Sequence, residues 1–106
     1  METNFERTIK NHIERLNPED WGMAVGSVKA SPDCTSAVVK FLVQKGKEGN
    51  KLARAEESID KQSLEAIVQK VWKIKPEIKF TVRGIRKSEL APQIRKSQDI
   101  RDYRSW

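Results

Sequence analysis

The sequence predicts a small two-layer α+β domain, in which a three-stranded mixed sheet is packed by helices on one side. Three observations lead to this fold class. Two segments that alternate apolar and polar residues are joined by a short turn, helical periodicity flanks this pair on both sides, and a third alternating segment follows. The predicted order is α-β-β-α(-α)-β, and a chain of 106 residues is long enough for one such domain.

Residues 4–16 predict an amphipathic first helix. Its apolar residues recur every three or four positions, which places them on one face: Phe5, Ile9, Ile13 and Leu16. Thr3 and Glu6 have the spacing of a capping box, in which each side chain bonds the other residue's backbone N–H. Pro18 ends the helix, because the residue before a proline is pushed out of helical geometry.

Residues 22–30 and 35–44 predict two strands of a hairpin, joined by a turn at Ser31-Pro32-Asp33. The first strand changes its phase of alternation near Gly26, which favours a β-bulge over a close approach to a ligand. The second strand alternates without interruption. Its first face consists of Ala37, Val39, Phe41 and Val43.

Residues 45–57 predict a basic, glycine-containing loop that passes into a helix near Lys51. Ser58 and Asp60 are both suitable N-caps, so a break or kink is expected around Ser58–Gln62. The helix that follows has an apolar stripe at Leu64, Ile67, Val68 and Val71.

Pro76 follows the end of this helix, and a third strand comes next. Ile78, Phe80 and Val82 alternate with Lys79, Thr81 and Arg83, so this strand has one apolar and one polar face. If it pairs with the hairpin, Lys79 and Arg83 lie on the same sheet face as Lys40. We expect residues 1–87 to form the domain and residues 88–106 to be a basic C-terminal tail, partly disordered or folded on a partner.

The positive charge of the chain is concentrated in residues 69–87. This segment contains seven basic side chains and one acidic one, so it carries a charge equal to the net +6 of the whole chain. Such clustering favours a polyanionic partner over a merely solvated surface. The candidate nucleic-acid contacts are Lys70, Lys73, Lys75, Lys79, Arg83, Arg86 and Lys87, with a second basic patch at Lys45, Lys47, Lys51 and Arg54.

Three aromatic residues are candidates for base stacking or for anchoring a partner. Trp72 lies at the border of its helical stripe, where an edge-of-core position is the more common explanation. Tyr103 and Trp106 lie among arginines in the predicted tail, where they either contact a partner or cover the core.

Two stretches, GMAVGSVKASPDCTSAVVKFLVQ (22–44) and KVWKIKPEIKF (70–80), resemble ribosome-binding factor A. The resemblance covers the Gly-Met start of the first strand, the turn at Ser31 and Asp33, and the basic helix end before Pro76. It implies a type II KH-like fold and an association with RNA and the ribosome. Three features differ from that pattern. The family's central helices meet at an alanine-x-glycine kink, whereas no glycine lies between Leu52 and Val82, and the helix before the first strand is shorter than in the family. Gly46 and Gly49 have the spacing of the Gly-x-x-Gly loop of KH domains, but they follow a strand instead of separating two helices.

The sequence gives no pattern typical of an enzyme, a cofactor site or a metal site. His12 and Cys34 are the only histidine and the only cysteine, and no glycine-rich phosphate loop precedes a helix. We therefore expect no catalytic residue, no cofactor and no metal. A protein with a single thiol is typical of the cytoplasm, which is the location we expect. Because the chain contains no long apolar run, we expect no signal peptide and no membrane partner.

Two functions follow from these patterns. The first is a small RNA-binding, ribosome-associated domain that contacts mainly the phosphate backbone, because lysines outnumber arginines in the cluster. The alternative is a protein–protein module, such as an adaptor, inhibitor or assembly factor. It would bind an acidic partner through the basic strand and the C-terminal tail.

Overall fold

The computed structural model describes residues 2–104, and the side chains of residues 2–96. Four helices and three strands follow one another: α1 (Asn4–Glu14), β1 (Ala24–Ala30), β2 (Ser36–Gln44), α2 (Glu48–Ser58), α3 (Lys61–Trp72), β3 (Glu77–Ile85) and α4 (Lys87–Arg104). A single 3₁₀ turn, Pro18–Trp21, links α1 to β1. Within the described residues, no helix is both long and apolar enough to cross a membrane.

Hydrogen bonds close the first turn of α1 and also join it to the sheet. The predicted capping box is confirmed: the Glu6 backbone N–H donates to Thr3 Oγ1, and the Thr3 backbone N–H donates to Glu6 Oε1 at 2.8 Å. The second carboxylate oxygen, Glu6 Oε2, accepts from the Ala30 backbone N–H at 2.7 Å. Glu6 is only 9% exposed, so this carboxylate fixes the first turn of α1 against the end of β1.

The end of α1 comes earlier than predicted. The helix stops at Glu14, and Leu16, which was expected to extend the apolar face, is left 46% exposed. Asn17 then adopts a left-handed conformation with φ of 56°, and Pro18 opens the 3₁₀ turn. Gly22 closes that turn with φ of 74°, a conformation that glycine adopts without strain.

The hairpin of β1 and β2 contains the predicted bulge. The two strands pair antiparallel, and their register shifts between Val25 and Ser27, at Gly26. A Cβ atom at Gly26 would lie 3.0 Å from Leu42 Cδ2, so a larger residue would crowd β2. The bulge changes the phase of the strand, so that Val25 and Val28 both face the core.

β3 joins the sheet beside β2 and runs parallel to it, which gives the order β1-β2-β3. The two helices α2 and α3 form the crossover that a parallel connection requires. At the start of β3 the Ile78 backbone N–H donates to Glu65 Oε2 of α3 at 3.0 Å. This bond fixes the end of the crossover against the sheet.

The core lies between one face of the sheet and the helices α1, α2 and α3. The sheet contributes the predicted face of β2 together with Val28, Ile78 and Phe80, all of them buried. The helices contribute Phe5, Ile9, Ile13, Ala55, Leu64 and Val68. This arrangement confirms the predicted two-layer α+β fold with a three-stranded mixed sheet.

The predicted break between the second and third helices is confirmed. Ile59 is extended and buried, and the Asp60 side chain caps α3 by accepting from the Ser63 backbone N–H. α2 begins at Glu48, three residues before the predicted start at Lys51. The Glu48 carboxylate accepts from the Gly46 backbone N–H, which closes the turn ahead of the helix.

Most of the predicted C-terminal tail lies in α4. This helix contacts β1, β2 and the 3₁₀ turn, and its Leu90 is only 5% exposed. Pro92 lies within the helix, where it removes one backbone donor. That the domain ends at residue 87, and that the tail folds on a partner, are still predictions.

Candidate nucleic-acid interface

The face of the sheet opposite the core carries cations on all three strands. We call it the open sheet face. Three rows of paired residues cross this face, each with one residue from β1, one from β2 and one from β3. The first row is Lys29, Val38 and Lys79, the second is Ser27, Lys40 and Thr81, and the third is Ala24, Leu42 and Arg83. Side chains paired in this way lie about 5 Å apart, and residues two apart on one strand about 7 Å apart. Four cations therefore lie within a few neighbouring positions.

The four cations of the open sheet face are exposed: Lys29, Lys40, Lys79 and Arg83. One acidic residue, Glu77, lies on the same face, and its Oε1 is 4.0 Å from Lys79 Nζ. Both of these side chains are largely in solvent, so this ion pair is weak. The face keeps a net charge of +3.

The cations remain accessible because α1, α2 and α3 all pack on the other face. α4 contacts β1 and β2, and its described side chains lie near Gly22 and Gln44, at one end of the sheet. There Ala24, which the register places beside Leu42, is buried although it lies outside the main core cluster. The prediction that Lys79 and Arg83 share a face with Lys40 is confirmed by the register. Sequence reasoning did not single out Lys29, although the predicted bulge at Gly26, with Val28 and Ala30 in phase after it, is the signal that places Lys29 on the opposite face.

The remaining cations of the 69–87 segment lie elsewhere. Lys70, Lys73 and Lys75 are exposed at the end of α3 and in the loop that follows it. Lys73 ends the helix in a left-handed conformation with φ of 63°, and its backbone N–H donates to the Gln69 carbonyl oxygen. The basic stretch is continuous in sequence but divides between the end of α3, the open sheet face and the start of α4.

Arg86 and Lys87 stand at the start of α4. Arg86 forms an ion pair with Glu89, with 2.8 Å between Nη2 and Oε1, so part of its charge is balanced locally. Lys87 lines a cavity of about 300 Å³ together with Lys47 and Lys51 of the second basic patch. The fold thus brings one end of the 69–87 cluster next to that patch.

The second basic patch surrounds a shallow cavity of about 570 Å³ at the start of α2. Lys47, Lys51 and Arg54 line it beside Trp21 and Asp20. Lys51 Nζ donates to the Trp21 carbonyl oxygen at 2.7 Å, so this lysine holds the 3₁₀ turn against α2. Lys45 is exposed between β2 and α2, and its backbone N–H donates to the Ile85 carbonyl oxygen.

Of the three aromatic candidates, the structure describes the side chain of Trp72 alone, and Trp72 is not on the open sheet face. Trp72 packs edge-on against Phe5, with ring centroids 5.6 Å apart, and its Nε1 donates to Thr8 Oγ1. It is 37% exposed, as expected at the edge of a core. Tyr103 lies in α4 beyond the last described side chain, and Trp106 lies outside the described residues.

The histidine and the cysteine lie on different elements, His12 on α1 and Cys34 at the hairpin turn. His12 is half-buried on α1, and burial together with the charge of Arg15 lowers its pKa. Cys34 is half-buried at the hairpin turn, in a left-handed conformation with φ of 61°. Among the described residues, no group of three histidine, cysteine or acidic side chains is placed to hold a metal ion.

Comparison of the chain with protein-family models, with curated proteins and with solved structures finds no match.

Proposed function

We propose that this chain binds nucleic acid, RNA in preference, through the phosphate backbone at its open sheet face. The observation that carries this proposal is the convergence of Lys29, Lys40, Lys79 and Arg83 on a face that α1, α2 and α3 leave uncovered. Nucleic acid presents phosphates several ångströms apart, and rows of lysine and arginine bind such a repeat electrostatically.

The composition of the face favours phosphates over bases as the contact. Its outward residues from Ser27 to Lys29, Ser36 to Leu42 and Glu77 to Arg83 include no aromatic side chain. Stacking of bases on the sheet is therefore not available within these residues. Three of the four cations are lysines, which meet phosphates as point charges and do not present the planar fork with which arginine reads guanine.

The ribosome is the RNA partner that we propose, and the cytoplasm the place of action. The order α-β-β-α-α-β and the basic turn before β3 support a type II KH-like domain related to ribosome-binding factor A. We propose a binding role without catalysis and without a cofactor.

A salt-dependent titration tests the proposal. Fluorescein-labelled single- and double-stranded RNA and DNA are titrated with the full chain between 50 and 200 mM salt. Four phosphate contacts on a single strand predict a log–log slope of about −3, hence a loss of affinity of about 50-fold over this range. A preference for RNA supports the ribosomal partner.

A matched pair of triple variants locates the binding surface. Lys40→Gln, Lys79→Gln and Arg83→Gln together lower the net charge from +6 to +3 at the proposed site. Arg7→Gln, Arg15→Gln and Lys96→Gln remove the same charge from exposed positions in α1, just after α1 and in α4. We expect the first set to flatten the salt slope by about 2, and the second to leave it nearly unchanged.

Either of two results overturns the proposal: equal losses in the two triple variants, or no binding by the unaltered chain at 50 mM salt. If binding depends instead on the second basic patch, neutralising Lys47 and Arg54 will abolish it while the open-face variant binds normally. Far-ultraviolet circular dichroism on each variant confirms that the fold is retained.

A further inference from the structure

A cavity of about 300 Å³ lies between the start of α2 and the first turns of α4. We call it the α4 cavity. Ligand pockets in proteins span about 300–1,000 Å³, so this one suits a single small molecule. Its described lining has a basic part and an apolar part: Lys47, Lys51 and Lys87, and Leu90, Ala91 and Ile94.

The apolar part of the α4 cavity is one side of α4. Leu90, Ala91 and Ile94 follow Lys87 by three, four and seven positions, which places them on the same side of the helix. Leu90 is buried, whereas Ile94 is half-buried and Ala91 is exposed. The described chain therefore covers this wall only in part, and an apolar group that enters the cavity buries further aliphatic surface.

The basic part of the cavity comes from three positions in the chain. Lys47 precedes α2, Lys51 lies in its first turn, and Lys87 is the first residue of α4. Among the described residues, none of these lysines forms an ion pair with a carboxylate, and no acidic residue lines the cavity. A cleft lined by charges of one sign concentrates ions of the opposite sign, so the cavity attracts an anion.

One of the three ammonium groups is held in a fixed position. Lys51 is half-buried, and its Nζ donates to the Trp21 carbonyl oxygen at 2.7 Å. Gly22 makes room for this group, since a Cβ atom at that position would lie 3.1 Å from Lys51 Nζ. An ammonium has three N–H donors, so two remain for the head group of an anion.

We propose that the α4 cavity binds a small amphipathic anion, which is an aliphatic chain with one anionic head group. The head group lies beside Lys51, and the chain lies along the α4 wall. A nucleotide fits this lining less well. Its described residues include no aromatic ring on which a base can stack, and they offer one side-chain amide, that of Gln44.

This site goes beyond the proposed binding of nucleic acid and is separate from it. None of the four cations of the open sheet face lines the α4 cavity. A bound anion would contact α2, α4 and the turn at Gly22 together. We therefore expect it to raise the Tm of the protein, because it binds the folded chain in preference to the unfolded one.

The test is a titration of the ¹⁵N-labelled full chain with octanoate, followed by amide chemical shifts. Octanol has the same chain length without the charge, and acetate has the charge without the chain. Inorganic phosphate tests whether an anion alone is sufficient. Vesicles of phosphatidylcholine with about 30% phosphatidylserine test whether the lysines and the α4 wall bind a membrane instead.

We expect octanoate to shift the amides of Gly22, Gln44, Lys47 and residues 87–94, and to raise the Tm. Octanol should bind about tenfold more weakly, because it has no charge to place beside the lysines. Acetate and phosphate should bind about a hundredfold more weakly, because they have no methylene groups to bury against α4.

Two pairs of variants locate the site. Ala91→Trp fills the cavity and should abolish octanoate binding, whereas Ala66→Trp, at an exposed position of α3, should not affect it.

Lys47→Gln with Lys87→Gln should weaken octanoate binding about tenfold. Arg7→Gln with Arg15→Gln removes the same charge from exposed positions that do not line the cavity, and should leave the affinity unchanged. Far-ultraviolet circular dichroism confirms that each variant is folded.

Any of four results overturns the proposal: no response to octanoate, equal affinity for octanol or phosphate, equal binding by Ala91→Trp and Ala66→Trp, or shifts confined to α3. Binding to the anionic vesicles without a response to octanoate also overturns it, in favour of a membrane surface. Failure of the RNA titration has no bearing on these outcomes, since the α4 cavity shares no residue with the four cations of the open sheet face.

Discussion

Replacement of Glu6 by glutamine tests how far one carboxylate stabilises the join between α1 and the sheet. Glu6 Oε1 accepts from Thr3 N–H and Oε2 accepts from Ala30 N–H at 2.7 Å, and the residue is 9% exposed. A glutamine keeps the size of the side chain but offers one acceptor oxygen. Its amide group would face one of the two backbone N–H groups, so one buried donor loses its partner.

The size of this effect follows from the bonds removed. A hydrogen bond to a charged group contributes about 1.5–3 kcal/mol, and a donor left without a partner in a buried site adds a cost of similar size. We expect Glu6→Gln to lower the free energy of unfolding by about 2–3 kcal/mol. For a domain of this size, that corresponds to a fall in Tm of roughly 10 °C.

The dependence on pH provides a second measurement. Hydrogen bonds from the backbone N–H groups of Thr3 and Ala30 lower the pKa of Glu6 from its ordinary value of 4.5. Because the folded pKa is lowered, the carboxylate stabilises the fold above the ordinary value, and this contribution is lost as the pH falls through the folded pKa. The Tm difference between the two proteins should therefore be largest at neutral pH and shrink on acidification.

Thermal unfolding followed by circular dichroism at several pH values measures both quantities. Glu57→Gln is the control, since Glu57 is exposed on α2 and its replacement should change stability by less than about 0.5 kcal/mol. If Glu6→Gln and Glu57→Gln melt at the same temperature, or if the Glu6 effect grows at acid pH, then the carboxylate does not join α1 to β1 as described.

Two further substitutions test the crossover and the hairpin. Gly84→Ala should lower the free energy of unfolding by about 1 kcal/mol, because the new Cβ would lie 3.1 Å from the backbone Cα of Lys45 and 2.9 Å from Glu48 Cδ. The matched control is Gly49→Ala in α2, where the new Cβ meets open space. This change should raise the free energy of unfolding by about 0.5–1 kcal/mol. Chemical denaturation decides the two signs, and equal signs would contradict this packing. Asp33→Ala should lower the Tm, because Asp33 Oδ1 accepts from the hydroxyls of Ser31 and Thr35, both at 2.7 Å. These bonds lower the pKa of Asp33 to about 2, so its contribution is present at neutral pH and is lost as the pH falls toward 2; a pH-independent difference between Asp33→Ala and the unaltered chain would argue against this role.

The elements that the sequence predicted well are those whose pattern is local. The alternation of β2 repeats every two residues, and the Thr3–Glu6 capping box occupies a single turn. The break at Ile59 and Asp60 was also visible, because suitable N-caps interrupt the helical pattern. In each case the deciding interactions join residues that are close together in the chain.

The exposure of α3 could not be predicted in the same way. Ile67 and Val68 are adjacent in sequence and are similar in apolar character and size, yet Val68 is buried and Ile67 is 43% exposed. Ile67 and Val68 lie on opposite edges of one apolar stripe, and which edge enters the core depends on the angle at which α3 packs on α1 and β3. That angle is set by the packing of the whole core, and it cannot be read from the spacing of apolar residues along the helix.

The helix α4 shows a second limit. Residues 88–106 have no clear apolar period, and Pro92 argues against a continuous helix. The buried residue near its start, Leu90, packs outside the main core cluster, against one end of the hairpin. A helix stabilised by so small a contact gives no periodic signal in the sequence.

The bulge at Gly26 connects the fold to the proposed binding face. Before it, Ala24 pairs with Leu42 on the open sheet face, whereas after it Ser27 pairs with Lys40 and Lys29 pairs with Val38 on that same face. If β1 alternated strictly from Val25 onward, without the bulge, Lys29 would face the core and Val28 the open sheet face. Burying an unpartnered lysine costs several kcal/mol, so the core itself selects the bulged register. The packing of Val28 therefore places the fourth cation beside Lys40 and Lys79.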